Sequence, residues 1–240
     1  MIIVDNWYDD PHGIREFALS KFEIENEPGT RKKDNGFEVY PGTRTKASLE
    51  NLIDNKSRME RHMERSIDPT MWAFSSALDR EIPLEEMEFD FAEMKARIKG
   101  TDIYPNLFYG ISNGCFQSCN EKSKMWIHAD EINTFAAVVY LTPDPPEGTG
   151  TGFFKNKRTS LSVEPRLNPV RYKPEEASDF DQWEMVDYCE NVFNRCVIFN
   201  AKQYHSATKY FGNTLENSRL TQVFFFDMKS SNQMRLQRRT

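Results

Sequence analysis

Apolar residues follow two different rhythms along the chain, recurring at helical spacing through about the first hundred residues and falling into short strand-length runs beyond them. Ile2 to Val4 is a brief strand-like run. Asp9, Asp10 and Pro11 follow, an N-cap carboxylate with proline at the first helical position, which predicts a helix whose buried face carries Ile14, Phe17 and Ala18. Between Ser48 and Arg65, Leu49, Leu52, Ile53, Met59 and Met63 are spaced among charged residues as on an amphipathic helix. A further helix is expected from about Leu84 to Ile98. Residues 1–103 therefore read as a helical layer supporting a larger element.

That element begins near Tyr104. Leu107 to Ser112 and Cys115 to Ser118 flank Asn113-Gly114, the dipeptide best suited to a two-residue hairpin turn. Phe135 to Leu141 is a continuous apolar run stopped by Thr142-Pro143-Asp144-Pro145-Pro146. Gly152 to Phe154, Cys196 to Phe199 and Leu220 to Phe226 are further strands. Short strands joined by loops predict an α+β, mainly β chain whose core over 104–228 is an antiparallel barrel or a double-sheet jelly roll. Lys155 to Asp181 interrupts the rhythm with Pro165, Pro169 and Pro174, and is expected to be a mobile substrate lid offering Tyr172, Arg158, Arg166 and Arg171 as contacts.

Composition narrows the options. The chain has 240 residues, 38% hydrophobic and 13% aromatic, enough for one domain over 1–240 with a sizeable core. A net charge of -6 does not offer the positive field that phosphate backbones require, so no nucleic acid is expected as a partner. The basic residues Arg235, Arg238 and Arg239 near the C-terminus read as a solvated tail. No run approaches the roughly 18 apolar residues of a membrane span, and residues 1–10 lack the pattern of a signal peptide, so a soluble, cytoplasmic protein without a membrane partner is expected. The four cysteines are too sparse for a disulfide framework, and Cys115 with Cys119 has no second close pair to complete a zinc set.

The candidate chemistry lies in His128-Ala129-Asp130. Residues two apart on a strand project to one face, so an imidazole and a carboxylate can meet one ion. Taken alone, such a pair is ordinarily hydrogen-bonded at a strand end. His205, just beyond the strand Cys196 to Phe199, can supply a third ligand, and two histidines with one carboxylate form the facial triad that leaves positions open on iron(II). Arg219 heads the apolar strand Arg219 to Phe226, where an inward guanidinium requires an anion; Thr221 shares its face and could complete a carboxylate clamp. The same triad also suits catalytic zinc, and a catalytically degenerate jelly-roll binding domain remains open.

These motifs in order resemble the core strands of the 2-oxoglutarate/iron(II)-dependent dioxygenase superfamily. They are His128-Ala129-Asp130, Ala137 to Pro143, Gly148 to Phe153, Asn194 to Phe199 with Tyr204-His205-Ser206, and Arg219 to Phe226. The likeness is nearest to the prolyl-hydroxylase-like branch with its bacterial and phage members. It implies a double-stranded β-helix, jelly-roll or cupin-like, under an N-terminal helical layer, with His128, Asp130 and His205 as iron ligands and Arg219 with Thr221 as the co-substrate anchor. It also implies iron(II), 2-oxoglutarate and dioxygen as cofactors, and hydroxylation of a small-molecule or peptide substrate. Members of the superfamily add an early-strand residue to the co-substrate pocket, a role that Tyr109 or Gln117 would fill.

Overall fold

The computed structural model describes residues 1–24, 40–68, 84–90, 95–100, 113–130, 133–165 and 172–229. Among these the chain is mostly β, with two α-helices and antiparallel sheets in a jelly-roll-like arrangement. It divides into two compact units, one of Met1–Thr45 with Phe116–Val223 and one of Lys46–Cys115 with Phe224–Thr240. No described helix is long and apolar enough to cross a membrane.

The first unit opens with β1 (Ile2–Val4) and α1 (Pro11–Ile24). The helix starts where the Asp-Pro signal predicted, and the Gly13 N–H donates to Asp10 Oδ1 at 2.9 Å, satisfying one of the amides that a helix start leaves without a partner. Phe17 of α1 packs edge-on against Phe116, with ring centroids 5.9 Å apart. Then come β2 (Thr43–Arg44), β5 (Phe116–Cys119), β6 (Phe135–Tyr140), β7 (Thr151–Asn156), β8 (Trp183–Cys189), β9 (Cys196–Asn200), β10 (His205–Ala207) and β11 (Arg219–Phe226). They form a six-stranded sheet in the order β1-β9-β6-β11-β5-β2 and a three-stranded sheet in the order β10-β7-β8. The buried side chains of Trp7, Phe116, Tyr140, Phe153 and Tyr204 fill the unit.

The N-terminal segment is thus more than a helical layer, because β1 and β2 both belong to the large sheet. Arg195 grips Asp5 with both Nε (2.6 Å) and Nη2 (3.1 Å), and the Asn194 side chain exchanges hydrogen bonds with the Tyr8 backbone at 2.8 and 2.9 Å, fastening the start of the chain to the entry of β9.

In the second unit, α2 (Leu49–Met63) bears out the amphipathic reading. Leu52, Asn55 and Met59 form its buried stripe, whereas Ile53 is exposed. The helix ends at Glu64 in the left-handed conformation, with φ of 51°. The helix expected over 84–98 is not formed. A 3-10 turn at Leu84–Glu86 leads into β3 (Met87–Asp90), which pairs antiparallel with β4 (Lys95–Ile98). The reason is a period of two: Met-Glu-Phe-Asp and Lys-Ala-Arg-Ile each alternate apolar with charged residues, and the register sets Met87 opposite Ile98 and Glu88 opposite Arg97. Asn113-Gly114 does form a turn, with Gly114 at φ of 76°, but the strand expected at Leu107 to Ser112 lies outside the described residues.

Lys155 to Asp181 is the stretch expected to be a lid. Its described parts are packed. Leu161, Tyr172 and Phe180 pack against a buried cluster of Ile127, Phe154, Trp183 and Tyr204. Glu176 is buried, and its carboxylate accepts from Asn156 Nδ2 (3.1 Å), Arg158 Nε (2.7 Å) and Nη2 (3.2 Å), and the Lys173 N–H (3.2 Å). The Glu176 carbonyl receives the Trp183 indole N–H at 2.9 Å. Arg158 and Tyr172, read as substrate contacts, are therefore engaged in holding this stretch; Arg166 and Arg171 lie outside the described residues.

Candidate metal centre

His128 and His205 meet as an antiparallel backbone bridge. The His128 N–H donates to the His205 carbonyl at 3.1 Å and the His205 N–H to the His128 carbonyl at 2.8 Å. Directly opposed residues of an antiparallel pair project to the same side, which brings the imidazole centroids to 4.5 Å. Asp130, two residues on, follows on that side, with its N–H tied to the Ala201 carbonyl at 2.8 Å. The sequence separation of the two histidines is closed by the sheet: β10 pairs with β7, setting His205 opposite Phe153.

The three side chains offer ligand atoms that all lie within 4.8 Å of one another, and they are the one such group among the described residues. His128 Nε2 is 3.9 Å from Asp130 Oδ1, and His205 Nε2 is 3.6 Å from Asp130 Oδ2. Each imidazole turns its other nitrogen to a carbonyl two residues earlier, His128 Nδ1 to Trp126 at 3.2 Å and His205 Nδ1 to Gln203 at 2.7 Å. A carbonyl can only accept, so in the neutral rings the proton sits on Nδ1 and the Nε2 lone pair faces the carboxylate. Crowding by protein atoms, then the neighbouring His205, push His128 down to about 4, which keeps that imidazole neutral near pH 7. Asp130 Oδ2 is buried and accepts no hydrogen bond from the described residues. A carboxylate oxygen so placed, facing the His205 Nε2 lone pair at 3.6 Å, lacks the cation that would justify its desolvation. The donor set fits a divalent transition metal. Side-chain exposure of 34% at His128, 19% at Asp130 and 9% at His205 leaves the group open on the His128 side.

Arg219 stands at the start of β11 with 6% of its surface exposed. Its Nε–H donates to the Thr149 carbonyl at 3.2 Å, and its guanidinium lies 5.4 Å from the Tyr140 ring centroid. No carboxylate among the described residues pairs with it, so a buried cation is balanced only by a carbonyl and a ring face. Thr221 lies on the same face, its hydroxyl at 3.5 Å from the Gln117 carbonyl. Strand β7 runs between the two features, since Phe153 lies opposite His205 and Thr149, just ahead of β7, receives Arg219.

Tyr109 lies outside the described residues. Gln117 is placed beside Thr221, but its amide is already used, Nε2 donating to the Pro41 carbonyl (2.7 Å) and Oε1 accepting from Arg44 (3.1 Å). Sequence reasoning missed Arg44, Tyr140 and the carbonyls of Trp126, Gln203 and Thr149. Tyr140 was hidden in an apolar run, and backbone acceptors have no sequence signal. The four cysteines are free and buried, and none joins the metal-ligating group.

No family model matches the sequence. No curated protein matches it either. Among solved structures the chain is similar to a prolyl hydroxylase in complex with a hypoxia inducible factor oxygen degradation domain peptide fragment, from Trichoplax adhaerens, with 8% identity and a TM-score of 0.45 over 97% of this chain and 85% of that one. A likeness at that distance carries no functional weight.

Proposed function

We propose that this chain is a non-haem iron(II)- and 2-oxoglutarate-dependent oxygenase that hydroxylates a C–H bond of a small-molecule or peptide substrate, on a double-stranded β-helix core of the prolyl-hydroxylase-like kind. The observation that carries the reading is the buried Asp130 Oδ2, without a hydrogen-bond donor among the described residues, in a group with two imidazoles whose Nδ1 atoms face carbonyls.

His128, Asp130 and His205 would hold the ion and leave coordination positions to exchangeable ligands. The carbonyls of Trp126 and Gln203 fix the ring orientations and raise the basicity of Nε2. Arg219 receives the far carboxylate of 2-oxoglutarate through its remaining N–H groups, with Thr221 alongside, and the Tyr140 ring holds the guanidinium plane. Because Arg219 is buried, that charge pair would form away from bulk water, where it is stronger. Iron(II), when bound, supplies the activation of dioxygen coupled to decarboxylation of 2-oxoglutarate, giving succinate, carbon dioxide and hydroxylated substrate.

The test is succinate formation by purified protein given iron(II), 2-oxoglutarate and air, with anaerobic equilibrium dialysis of iron(II) alongside. One ion per chain and iron-dependent succinate are expected. A bound ion with no succinate under any condition would leave a zinc hydrolase or an inert binding domain in its place.

A further inference from the structure

The large sheet carries a second arginine on the face that holds Arg219. Strand β2 pairs with β5 so that Arg44 lies opposite Gln117, and β5 pairs with β11 so that Gln117 lies opposite Thr221 and Cys119 opposite Arg219. Opposed residues of an antiparallel pair, and residues two apart on one strand, share a face. Arg44, Gln117, Cys119, Arg219 and Thr221 therefore line one side of the sheet, with β2 about 10 Å from β11 at the usual strand spacing. Two like charges on one face repel. Neither is paired with a carboxylate among the described residues, although the chain carries 37 acidic side chains.

Arg44 is held in a definite orientation. Its Nε–H donates to Gln117 Oε1 at 3.1 Å, Gln117 is fixed in turn by its bond to the Pro41 carbonyl, and the guanidinium lies 4.3 Å from the Tyr40 ring centroid. The turn ahead of β2 is pressed onto β5: Gly42 has φ of 67°, and a Cβ there would fall 2.1 Å from the Ser118 carbonyl oxygen. Fixing Nε and one ring face leaves the two Nη groups, the end of the fork that matches a carboxylate. The face that Arg44 and Arg219 share leads to the metal centre through Arg219, which donates to Thr149 just ahead of β7, the strand that sets Phe153 opposite His205.

We propose that Arg44 anchors a carboxylate of the substrate, so that the open side of the metal centre takes an anionic substrate while Arg219 holds the co-substrate. The division follows from depth: Arg219 is buried, whereas Arg44 is half-exposed on the edge strand β2 and meets the molecule that arrives later. The assignment of Arg219 rests on the oxygenase reading; the Arg44 site does not need it.

The probe is 4-fluorobenzoate, with 4-fluorobenzamide as its uncharged counterpart, followed by fluorine NMR on protein with and without manganese(II) and saturating 2-oxoglutarate. Wild type is expected to bind the acid and not the amide under both conditions. Arg44→Gln should weaken the acid about 10- to 100-fold, the range for one charge-assisted hydrogen-bond pair, and Arg44→Lys, which keeps the charge and the fold but loses the fork, should fall between. Calorimetry with 2-oxoglutarate on the same samples reads the oxygenase assignment separately, so its failure is distinguishable from failure of the Arg44 site. Equal affinity for the acid in Arg44→Gln and wild type, equal binding of the amide, or no binding of the acid by wild type overturns the proposal. Displacement of the acid by inorganic phosphate at lower concentration overturns the carboxylate assignment in favour of a phosphate site.

Discussion

Replacing Arg219 with Met separates a structural arginine from a ligand anchor, because the two roles predict opposite signs for stability and binding. In the unliganded chain the guanidinium is buried with one bond to the Thr149 carbonyl and one ring face, and no carboxylate among the described residues. The bond contributes about 1 kcal/mol and the ring about 1 kcal/mol, while burial of a cation without an anion costs several kcal/mol. The burial cost outweighs the two contacts, so urea unfolding should find the apo variant at least as stable as wild type. Binding of 2-oxoglutarate should suffer instead. Removing one partner of a desolvated charge pair costs about 2–5 kcal/mol, roughly 30-fold to several thousand-fold in dissociation constant. Calorimetry on the manganese(II)-loaded protein measures that constant, and Arg219→Lys should give an intermediate loss because it keeps the charge without the fork. A variant that loses 3 kcal/mol or more of apo stability and binds 2-oxoglutarate as wild type does would refute the reasoning and return Arg219 to the core.

Glu176→Ala removes the acceptor shared by Asn156, Arg158 and the Lys173 N–H, and should cost about 2 kcal/mol in urea unfolding, chiefly from the buried Asn156 amide and the backbone donor, since Arg158 is 41% exposed and its ion pair is screened. The Arg158 guanidinium first, then the hydrogen bonds from Lys173 N and Asn156, hold Glu176 down at about 2 against an ordinary 4.5. A folded value below the unfolded one stabilises the chain fully above about pH 4.5 and progressively less as pH falls toward about 2, so the stability gap between wild type and Glu176→Gln should shrink between pH 5 and pH 3. A constant gap across that range would show that the fold does not lower the Glu176 pKa. Gly42→Ala should destabilise the protein by about 1–3 kcal/mol in the same assay, because φ of 67° and the nearby Ser118 carbonyl both oppose a Cβ. An unchanged midpoint would mean that the Pro41-Gly42 turn can lift away from β5.

What could be read from the sequence follows from how local each signal is. The Asp-Pro start of α1, the apolar run of β6 and the His-x-Asp pair are complete within a few residues, and each appears in the structure where expected. Residues 84–98 misled because a charge-rich window supports both a helical and an alternating pattern, and pairing of Met87–Asp90 with Lys95–Ile98 decided between them. Strand β8 escaped notice because it lies at the edge of its sheet, with Met185 and Val186 exposed, so its pattern does not mark a buried face. Arg44 gave no signal at all: β2 has two residues, and its significance arises only through the register that places it opposite Gln117.

Asp130 is the anionic member of the metal centre, and its Oδ2 is buried beside His205 Nε2 with no donor among the described residues. The most direct measurement is release of labelled carbon dioxide from 2-oxoglutarate labelled at C1, with iron(II) and air, by wild type and by Asp130→Asn at matched folded protein. Wild type should release carbon dioxide in an iron-dependent manner, one for each succinate formed. Asp130→Asn replaces the anionic ligand with a neutral amide of the same shape and should lose iron and at least about 100-fold in turnover while keeping its fold. Iron-independent release by wild type, or full release by Asp130→Asn, would contradict the metal centre assigned to His128, Asp130 and His205.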